Sequence, residues 1–526
     1  MVLMSKSRIA IAASLAGGII VAGCSSSGSS APPATTTITF AGAAAPAGAS
    51  AYPNGDLANT RDATGSRISS SNVASLKEAW TFKLPGPASS TGVSPYGSLA
   101  AAPVVVNGVV YLQDLHANVY AIALATGRLK WEYQANLAEK SGPGPDGVAV
   151  ADGVVYGDTS TDVFALNAAT GKVVWDDGSL LNSGQGAFEI QPAAADGRVY
   201  LASAYGSGPG GGVILALDAA TGKELWTFNT VTGAAPGVQA LGLGSGGAWE
   251  TPLVGSDGTV TFGTGNPYQS IGEAVSHPSR QLYTDSEVNL SAATGKLNWY
   301  HQAVPNDFND HDLQTSPIPA TVHGVPAIIA SGKVGIVYAM NASTGSVLWQ
   351  TPVGAHNGHD NDSALLLAHR LTLKLPYTVE PGPLGGVLTN MALADGSVYL
   401  ATVDVPVTYT TLSAVNGNKG TGVAPGGEIE ALNVNTGKVE WDTRVPTLPL
   451  GAATVSNDLV FTTLYTGELV ALNTSTGAIV YQRKLPTTAN SPIAVTGNAV
   501  LVPAGAPTTS AKGGGGSPQL VAYTIP

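Results

Sequence analysis

A short acidic run contains the first residues in this sequence whose types and spacing could do chemistry. Asp307, Asp310 and Asp312 place three carboxylates within six residues. Carboxylates held this close repel one another unless a cation or solvent neutralises them. The run therefore predicts either a cation-dependent site or a solvated acidic loop that binds nothing.

Trp249 is the one tryptophan of eight that falls outside the repeat described below. A flat heterocycle gains stability by stacking on a large aromatic face, so Trp249 is a candidate floor for a planar ligand. The alternative is ordinary core packing. A second cluster, at 356–362, combines His356 and His359 with two aspartates. It predicts a transition-metal site, substrate contacts or a polar loop.

A repeated unit must position these residues, and it is the strongest pattern in the chain. The pattern A-x-x-x-x-T-G-x-x-x-W, or a variant with one replacement, occurs at 121–131, 165–175, 216–226, 289–299, 339–349, 431–441 and 471–481. Two short β-patterned runs precede each motif. In the first unit, Asn107 and Gly108 separate these runs and predict a hairpin turn. Each unit is therefore predicted to contain four strands.

An eighth unit is divided between the two ends of the sequence. Residues 491–502 and 519–525 supply three strands, and residues 76–82 around Trp80 supply the fourth. Pairing them closes a ring and removes the exposed edge that an open solenoid would leave. We therefore predict an all-β fold, an eight-bladed β-propeller, over residues 51–526.

The order of strands within a unit predicts which residues meet. The first two strands run antiparallel, so the start of the first and the end of the second lie on one face of the ring. This rule places Trp249 beside residues 265–267 in unit 4. It places the acidic run beside Lys333 in unit 5, and all of these residues around one axial mouth.

Residues 1–24 have the pattern of a secretory leader, with Lys6 and Arg8 before an apolar run. Small residues before Cys24, the only cysteine, resemble a bacterial lipobox. This resemblance implies a signal peptide over 1–23, lipidation of Cys24 and anchoring to the extracytoplasmic side of the cell envelope. A plain signal peptide is the alternative. Residues 24–50 are uncharged and predict a flexible tether.

Composition excludes several classes of partner. The net charge of -12 predicts no binding to nucleic acid and no electrostatic binding to anionic lipid. Later apolar runs are too short to span a bilayer, so the lipid is the only membrane attachment that we predict. The motif C-x-x-C-H is absent, so covalent haem is not predicted and electrons would pass to an external acceptor.

The repeat resembles the pyrroloquinoline quinone (PQQ) repeat of quinoprotein alcohol dehydrogenases and their relatives. Residues 56–61, followed by 72–80, resemble the opening segment of that family. Gly-Gly-Ala-Trp249, followed by residues 263–267, resembles the blade that supplies the cofactor floor and an asparagine metal ligand. The resemblance implies that Trp249 stacks under PQQ and that Asn266 binds Ca²⁺ or a lanthanide through its amide oxygen.

The acidic run at 305–313 resembles the family segment that carries the catalytic aspartate. The resemblance implies that Asp310 is the general base and that Asp312 is an additional metal ligand. Lys333, with Gly335, resembles the stretch whose cation bonds the quinone oxygens. The implied function is a dehydrogenase that oxidises an alcohol or sugar hydroxyl by hydride transfer to the quinone. The alternative is a non-catalytic propeller lipoprotein that binds protein or carbohydrate.

Several positions depart from the family pattern, among them an adjacent cysteine pair that a chain with one cysteine cannot have and an aromatic residue that is missing near 449–451. Asp146 stands where the family pairs an arginine with a PQQ carboxylate. Ser207 replaces a glutamate that some members place on the metal, and Ala100 replaces an acidic residue before the first blade. A negative charge at position 146 disfavours a tricarboxylate ligand.

Overall fold

The computed structural model describes residues 50–85, 99–135, 144, 146–204, 211–231, 246–415, 426–505 and 517–526. The predicted leader, Cys24, Ser207 and all but the last residue of the tether lie outside these ranges. Within them, no helix has the length and apolar character needed to cross a bilayer.

Short β-strands make up nearly all of the regular structure. Those of the first half of the chain are β1 (Lys77–Lys83), β2 (Val104–Val106), β3 (Val109–Gln113), β4 (Val119–Ala123), β5 (Leu129–Tyr133), β6 (Ala149–Ala151), β7 (Val154–Asp158), β8 (Val163–Asn167), β9 (Val173–Asp177), β10 (Ala187–Phe188), β11 (Ala193–Ala195), β12 (Arg198–Ala204), β13 (Val213–Asp218), β14 (Glu224–Asn229), β15 (Leu253–Val254), β16 (Thr259–Gly263), β17 (Ser286–Ser291) and β18 (Leu297–Gln302).

The second half continues the same pattern of short strands. Its strands are β19 (Ile318–Val322), β20 (Val325–Ala330), β21 (Ile336–Asn341), β22 (Val347–Pro352), β23 (Tyr377–Val379), β24 (Ala392–Ala394), β25 (Ser397–Asp404), β26 (Val407–Tyr409), β27 (Gly426–Asn433), β28 (Val439–Val445), β29 (Thr454–Ser456), β30 (Leu459–Leu464), β31 (Glu468–Asn473), β32 (Ile479–Lys484), β33 (Ala494–Thr496), β34 (Ala499–Ala504) and β35 (Gln519–Thr524).

These strands form eight antiparallel blades, one for each predicted unit. Blades 1 and 2 contain β2–β5 and β6–β9, and blade 3 contains β11–β14 with β10 paired to β12. Blades 4 and 5 contain β15–β18 and β19–β22; blade 6 contains β24, β25, β27 and β28; blade 7 contains β29–β32. Innermost strands of neighbouring blades contact each other, as β2 does with β6 and β29 with β33, which places them around a central axis. The predicted eight-bladed propeller is confirmed.

Blade 8 closes the ring with strands from both ends of the sequence. It contains β33, β34 and β35, and β1 pairs antiparallel with β35 along its whole length. The division of the eighth unit between residues 76–82 and 491–525 is therefore observed in the sheet. The closure leaves β1 as the outer strand of a complete four-stranded blade.

Each repeat tryptophan holds its blade against the next. The Trp131 indole N–H donates to the Ala168 carbonyl at 2.9 Å, and its ring covers Gly171. A Cβ on Gly171 would lie 2.6 Å from that ring, and its φ of +70° also favours glycine. The six other repeat tryptophans make the same pair of contacts. The Thr-Gly turn is thus the docking surface for the preceding blade.

Tyr481 replaces tryptophan where this docking surface is missing. Blade 7 faces blade 8, whose β35 and β1 are not joined by a Thr-Gly turn. Tyr481 packs instead against the core that contains Leu76 and Ile525, the residues that flank the junction of the two ends. The one departure from tryptophan therefore follows from how the ring closes.

The segment before β1 contacts residues that directly precede the innermost strands of several blades. Asn54 donates to Ser316 Oγ of blade 5 at 3.0 Å. Arg61, which is buried, donates to the carbonyls of Ala453 in blade 7 at 2.7 Å and Ile493 in blade 8 at 2.9 Å. The segment ends in a 3₁₀ turn at Val73–Ser75. It ties distant blades together.

Insertions in blades 4, 5 and 6 form a cap over the face where the first strand of each blade starts. The cap contains α1 (Ile271–Ser276), α2 (Asp362–Leu367) and the two-stranded sheet of β23 and β26. Its apolar core includes Tyr377, Tyr409 and Phe308 of the acidic run. The Tyr409 hydroxyl donates to the Phe308 carbonyl at 3.1 Å. The cap therefore packs directly on the predicted site.

Candidate active site

The strand ends that the sequence predicts to meet lie together at the cap side of the axis. Trp249 precedes β15 and Asn266 follows β16 in blade 4, whereas Asp310 and Asp312 precede β19 and Lys333 follows β20 in blade 5. Antiparallel pairing puts all four of these strand ends on one face. The contacts below join four of the side chains and connect Asn266 to them through its backbone, and the roles assigned to these residues remain predictions.

Lys333 neutralises the acidic run. Its Nζ lies 3.1 Å from Asp310 Oδ2 and 2.5 Å from Asp312 Oδ2. Asp312 is fully buried, and Lys333 and Asp310 are nearly so. Buried carboxylates require such compensation, because charge is costly to remove from water. The prediction of a solvated acidic loop is therefore excluded.

Burial and charge act in opposite directions on this cluster. Burial lowers the pKa of Lys333, but Asp310 and Asp312 outweigh it and raise that pKa well above its ordinary value. Burial also raises the pKa of Asp310 well above its ordinary value. Lys333 lowers this pKa and Asp312 raises it, but burial has the largest effect. Lys333 therefore remains an ammonium, and Asp310 has a higher proton affinity than an exposed aspartate.

Asn266 presents an oxygen that the described residues leave without a donor. Its backbone N–H donates to Asp312 Oδ1 at 2.7 Å, which fixes the two residues side by side. Its side-chain Oδ1 is buried and accepts no hydrogen bond from the described part of the chain. Buried amide oxygens nearly always have a partner, so this one is arranged to receive a donor or a cation.

Gly265 allows blade 4 to approach this closely. A Cβ on Gly265 would lie 2.7 Å from the Trp249 ring and 2.9 Å from Asp312 Oδ1. Any larger residue would therefore push apart the predicted floor and the predicted metal ligand. Close packing in this fold therefore explains why a glycine precedes Asn266 and Pro267.

Asp307 shapes the loop that carries the other two acids. Its carboxylate accepts the backbone N–H of Asn309 and of His311, each at 2.8 Å. Gln269 donates to its carbonyl at 2.7 Å. These bonds hold Asp310 at a φ of +60°, in the left-handed region. Asp307 is thus a positioning residue rather than a member of the ion cluster.

A cavity of about 120 Å³ opens beside the cluster on the axis. Trp249, Gln314, Leu388, Leu450 and Asn490 line it, and each lies four residues before the innermost strand of blades 4, 5, 6, 7 and 8, respectively. One equivalent position in five consecutive blades therefore surrounds the cavity.

Lys333 and Tyr268 complete the cavity wall near the ion cluster. Lys333 Nζ lies 5.9 Å from the centroid of the Trp249 ring, so a flat ligand on that ring would contact the ammonium. Tyr268 has a φ of +52°. Burial raises its pKa, and Asp310 and Asp312 raise it further.

The contacts of the two cap histidines differ from those of the predicted transition-metal site. His356 Nδ1 lies 2.7 Å from Asp360, and His359 Nδ1 lies 2.7 Å from Asp362, which also accepts the Tyr377 hydroxyl at 3.1 Å. Neither histidine lines the cavity. No group of three or more His, Cys, Asp or Glu in the described ranges is arranged for a metal ion. These contacts fit the alternative of a polar loop, in which each histidine–aspartate pair stabilises the cap from within.

A second acidic group lies at the same face in blades 2 and 3. Asp146 precedes β6, Asp158 ends β7 and Glu189 precedes β11, and all three are buried. Burial raises the pKa of Asp158 well above its ordinary value, and Asp146 and Glu189 raise it further. Asp146, which stands where the family pattern has an arginine, is therefore a buried acid.

Sequence reasoning missed several residues of this site. Tyr268, directly after Asn266-Pro267, and Gln314, directly after the acidic run, were detectable from those motifs. Asp285 donates its N–H to the Gly265 carbonyl at 2.9 Å, and its pKa is raised well above its ordinary value by burial and then by Asp307. No sequence signal marks Asp285, because it follows an irregular insertion.

Family models match most of the chain. The PQQ-repeat model described as "Outer membrane protein assembly factor BamB" matches residues 39–207, 139–242 and 425–523, more than half of the sequence. This chain belongs to the PQQ-repeat β-propeller family. The model described as "Glucose/ethanol/alcohol dehydrogenase, beta-propeller domain" matches residues 191–355 of the propeller, which include the ion cluster and Trp249.

Two quinoprotein enzymes are distant relatives of this PQQ-repeat propeller. The quinohemoprotein alcohol dehydrogenase of Comamonas testosteroni is 26% identical over 396 residues, which cover 67% of this chain and 54% of that protein. The quinoprotein glucose dehydrogenase of Gluconobacter oxydans is 24% identical over 435 residues, 71% of this chain and 51% of that protein. The chain thus spans about half the length of each enzyme.

Solved structures share the fold of this propeller. The Comamonas testosteroni enzyme superposes with a TM-score of 0.77 at 23% identity, over 92% of this chain and 81% of that chain. A europium-containing methanol dehydrogenase superposes with a TM-score of 0.75 at 18% identity, over 91% and 98%. Identities this low establish the eight-bladed architecture alone.

Proposed function

We propose that this protein is a PQQ- and metal-dependent dehydrogenase that oxidises an alcohol or sugar hydroxyl and passes electrons to an external acceptor. One observation carries the proposal. Trp249 and Lys333 line one axial cavity, and Lys333 joins them to two carboxylates and to a neighbouring amide oxygen that has no donor among the described residues. The distant relationship to quinoprotein dehydrogenases supports it.

The residues of blades 4 and 5 fit the cofactor and a cation. Trp249 would support PQQ, Lys333 would contact its oxygens, and Asn266 with Asp312 would hold Ca²⁺ or a lanthanide. The orphaned Asn266 oxygen favours this assignment, since a hard cation takes oxygen ligands. Bound PQQ would supply the two-electron acceptor that the amino acids lack.

The chain's own groups would then handle the proton and the solvent. Asp310 is the general base in this proposal and takes the proton of the substrate hydroxyl. Lys333 holds the Asp310 carboxylate in place through the 3.1 Å contact. The cap excludes water because Phe308, next to the loop that carries Asp310, is buried in the cap core.

Turnover after reconstitution tests the proposal. Purified protein is incubated with PQQ and Ca²⁺ or La³⁺, and reduction of an artificial electron acceptor is followed with a panel of alcohols and aldoses. We expect turnover that requires both PQQ and a metal. Absence of PQQ binding and of turnover with either metal would eliminate the dehydrogenase.

A single substitution tests the base. Asp310→Asn should lower kcat about 10²-fold to 10⁴-fold while PQQ remains bound, because it removes proton transfer and leaves the floor intact. The matched control is Asp152→Asn, at an exposed turn position with a φ of +50° that asparagine also adopts. Full activity in Asp310→Asn would require a different base.

A non-catalytic scaffold is the second candidate. It is favoured by the match to the BamB-described model and by the buried Asp146, which supplies a negative charge where an anionic cofactor would need a positive one. This candidate predicts that the protein binds neither PQQ nor a metal at the cluster. Titration of PQQ against the tryptophan fluorescence distinguishes the two.

We also propose that residues 1–23 are a signal peptide, that 24–50 are a tether and that Cys24 is lipidated after export. The basic start, the apolar run and the small residues before Cys24 support this. Mass spectrometry of the protein expressed with its leader should find a diacylglyceryl-type mass increase on Cys24. Cys24→Ser should release the protein from membranes.

A further inference from the structure

One cap histidine contacts blade 5 as well as its own aspartate. His356 Nδ1 lies 2.7 Å from Asp360 Oδ1. Its Nε2 lies 3.0 Å from the Gly335 carbonyl oxygen and 3.0 Å from the Val353 carbonyl oxygen. The His356 side chain is only 14% exposed. Both ring nitrogens therefore face oxygen atoms that accept hydrogen bonds, in a site with little access to water.

This geometry requires a proton on each ring nitrogen. A neutral imidazole has one N–H and one lone pair, so it would direct the lone pair either at the Asp360 carboxylate or at the two carbonyls. Doubly protonated His356 instead donates on both sides. Burial lowers the pKa of His356, but the hydrogen bond and charge of Asp360, together with the two carbonyls, outweigh burial and raise this pKa above its ordinary value. His356 is therefore an imidazolium over a wider pH range than an ordinary histidine.

The groups around this histidine–aspartate pair are mainly acidic, which favours the charged ring. Burial raises the pKa of Glu380 in the next cap segment, and the positive charge of His356 lowers it. Other titratable groups near the pair are Tyr338 of β21, Asp404 and Arg444, whose side chain is 72% exposed. An exposed guanidinium is screened by solvent and salt, so it opposes the imidazolium only weakly.

Gly335, whose carbonyl accepts from His356, ends the turn that carries Lys333. The Gly335 N–H donates to the Gly332 carbonyl at 2.9 Å and closes this turn. Gly335 has a φ of +67°, and a Cβ there would lie 3.1 Å from His356 Cε1 and Nε2, so the ring packs directly on the glycine. From the same turn, Lys333 Nζ reaches the two acids of the ion cluster. His356 thus contacts the turn that sets where the Lys333 ammonium lies.

We propose that His356 is a positioning residue for Lys333, and that its imidazolium joins the cap to the turn that carries this lysine. The Nδ1 side binds Asp360 in the cap, and the Nε2 side binds Gly335 in blade 5. Loss of one ring proton leaves a lone pair facing an acceptor, so one of these two contacts is lost and the turn gains freedom. The effect of this change on the cofactor rests on the proposed function, whereas the protonation of His356 and the restraint of the turn do not.

An NMR titration tests the protonation. The Cε1–H signal of His356 is identified by its loss in His356→Gln. We expect this signal to titrate above the ordinary histidine pKa of about 6.5. The titration should move to lower pH in Asp360→Asn, which keeps the shape of the partner and removes its negative charge. A titration at or below the ordinary value in the unmodified protein would overturn the proposal.

Amide hydrogen exchange tests the positioning without any cofactor. At a pH below the pKa of His356, peptides that cover residues 332–338 should exchange several-fold faster in His356→Gln than in the unmodified protein. Compared at equal pH, this difference should shrink as pH rises through that pKa, because the unmodified ring then loses its own contact.

The matched control for both variants of the turn is His359→Gln. His359 also pairs with an aspartate at 2.7 Å, but its ring packs on Tyr377 inside the cap. Exchange at residues 332–338 should therefore stay unchanged in His359→Gln. An equal increase in His356→Gln and His359→Gln, or no increase in His356→Gln, would show that His356 only braces the cap and would overturn the proposal.

Cofactor binding distinguishes this proposal from the proposed function. PQQ affinity should fall several-fold in His356→Gln and stay unchanged in His359→Gln, since Lys333 contacts the cofactor in the proposed site. Unchanged PQQ affinity in His356→Gln would overturn the positioning role. Faster exchange of the turn in a protein that binds no PQQ would support the contact between His356 and the turn and would defeat the proposed function alone.

Discussion

Two groups of buried acids lie at the cap side of the axis, and they differ in how their charge is compensated. In blades 4 and 5, Asp310 and Asp312 share the Lys333 ammonium at 3.1 and 2.5 Å. In blades 2 and 3, every influence on the pKa of Asp158 raises it. Equivalent strand ends thus carry acids paired with a cation in one half, and acids whose pKa is raised by burial and by one another in the other half. The propeller frame sets where the acids gather, and Lys333 supplies a positive charge to one of the two groups.

Removing that lysine should give the largest effect. Lys333→Met leaves two buried carboxylates without their cation, so the free energy of unfolding should fall by about 3–5 kcal/mol. Lys484→Met is the control, because Lys484 pairs with Glu468 at 2.9 Å but is 68% exposed. Its loss should cost about 0–1 kcal/mol. Equal losses in urea denaturation would show that Lys333 does not compensate the acids.

Filling the space at Gly265 should give the next largest effect. Gly265→Ala inserts a methyl group against Trp249 and Asp312, and overpacking of this kind costs about 1–3 kcal/mol. PQQ affinity should also fall, because the floor is displaced. Gly426→Ala is the control, since its Cβ would lie 3.5 Å from the nearest atom, at ordinary contact distance. Unchanged stability and affinity in Gly265→Ala would contradict the close packing.

The second acidic group should make stability depend on pH. The raised pKa of Asp158 means that the folded state keeps this proton after the unfolded chain has lost it. Its contribution to stability is therefore present at low pH and declines as pH rises above the ordinary aspartate pKa. Asp158→Asn should remove the decline and be more stabilising at pH 8 than at pH 4.5. Denaturation of Asp152→Asn at both pH values should show no such difference.

The smallest effect concerns ligand affinity in the blade 2 half. Asp146→Asn removes a negative charge from the position where the family pairs an arginine with a PQQ carboxylate. PQQ affinity should rise several-fold, measured by quenching of tryptophan fluorescence, because like-charge repulsion is reduced. Asparagine tolerates the φ of +31° at this position. Unchanged affinity would mean that this half of the mouth does not face the cofactor.

The sequence was sufficient for the ring and for the meeting of blades 4 and 5. Both depend on local regularities: the Thr-Gly turn must cover a tryptophan, and antiparallel strands must bring their ends together. Trp249, Asn266 and Lys333 were accessible by that rule because each lies at a strand end.

The spacing of the repeats predicts that insertions in blade 4 and around blade 6 cover the ring face, but the contacts inside the cap were not accessible in the same way. Tyr409 reaches Phe308 from a segment about a hundred positions away, and neither belongs to a repeat. His356 and His359 show why the sequence was ambiguous, because a metal site and a pair of histidine–aspartate contacts use the same residue types. Only the three-dimensional packing shows that each histidine faces its own aspartate.

The closure of blade 8 has a consequence for how the chain is made. Because β35 is the one described strand that pairs with β1, synthesis must continue from Lys83 to Gln519 before β1 acquires its neighbour. Until then β1 is an unpaired edge that invites association with other chains. Loss of residues 519–526 would make that transient vulnerability permanent, so C-terminal proteolysis should convert a closed ring into an aggregating one.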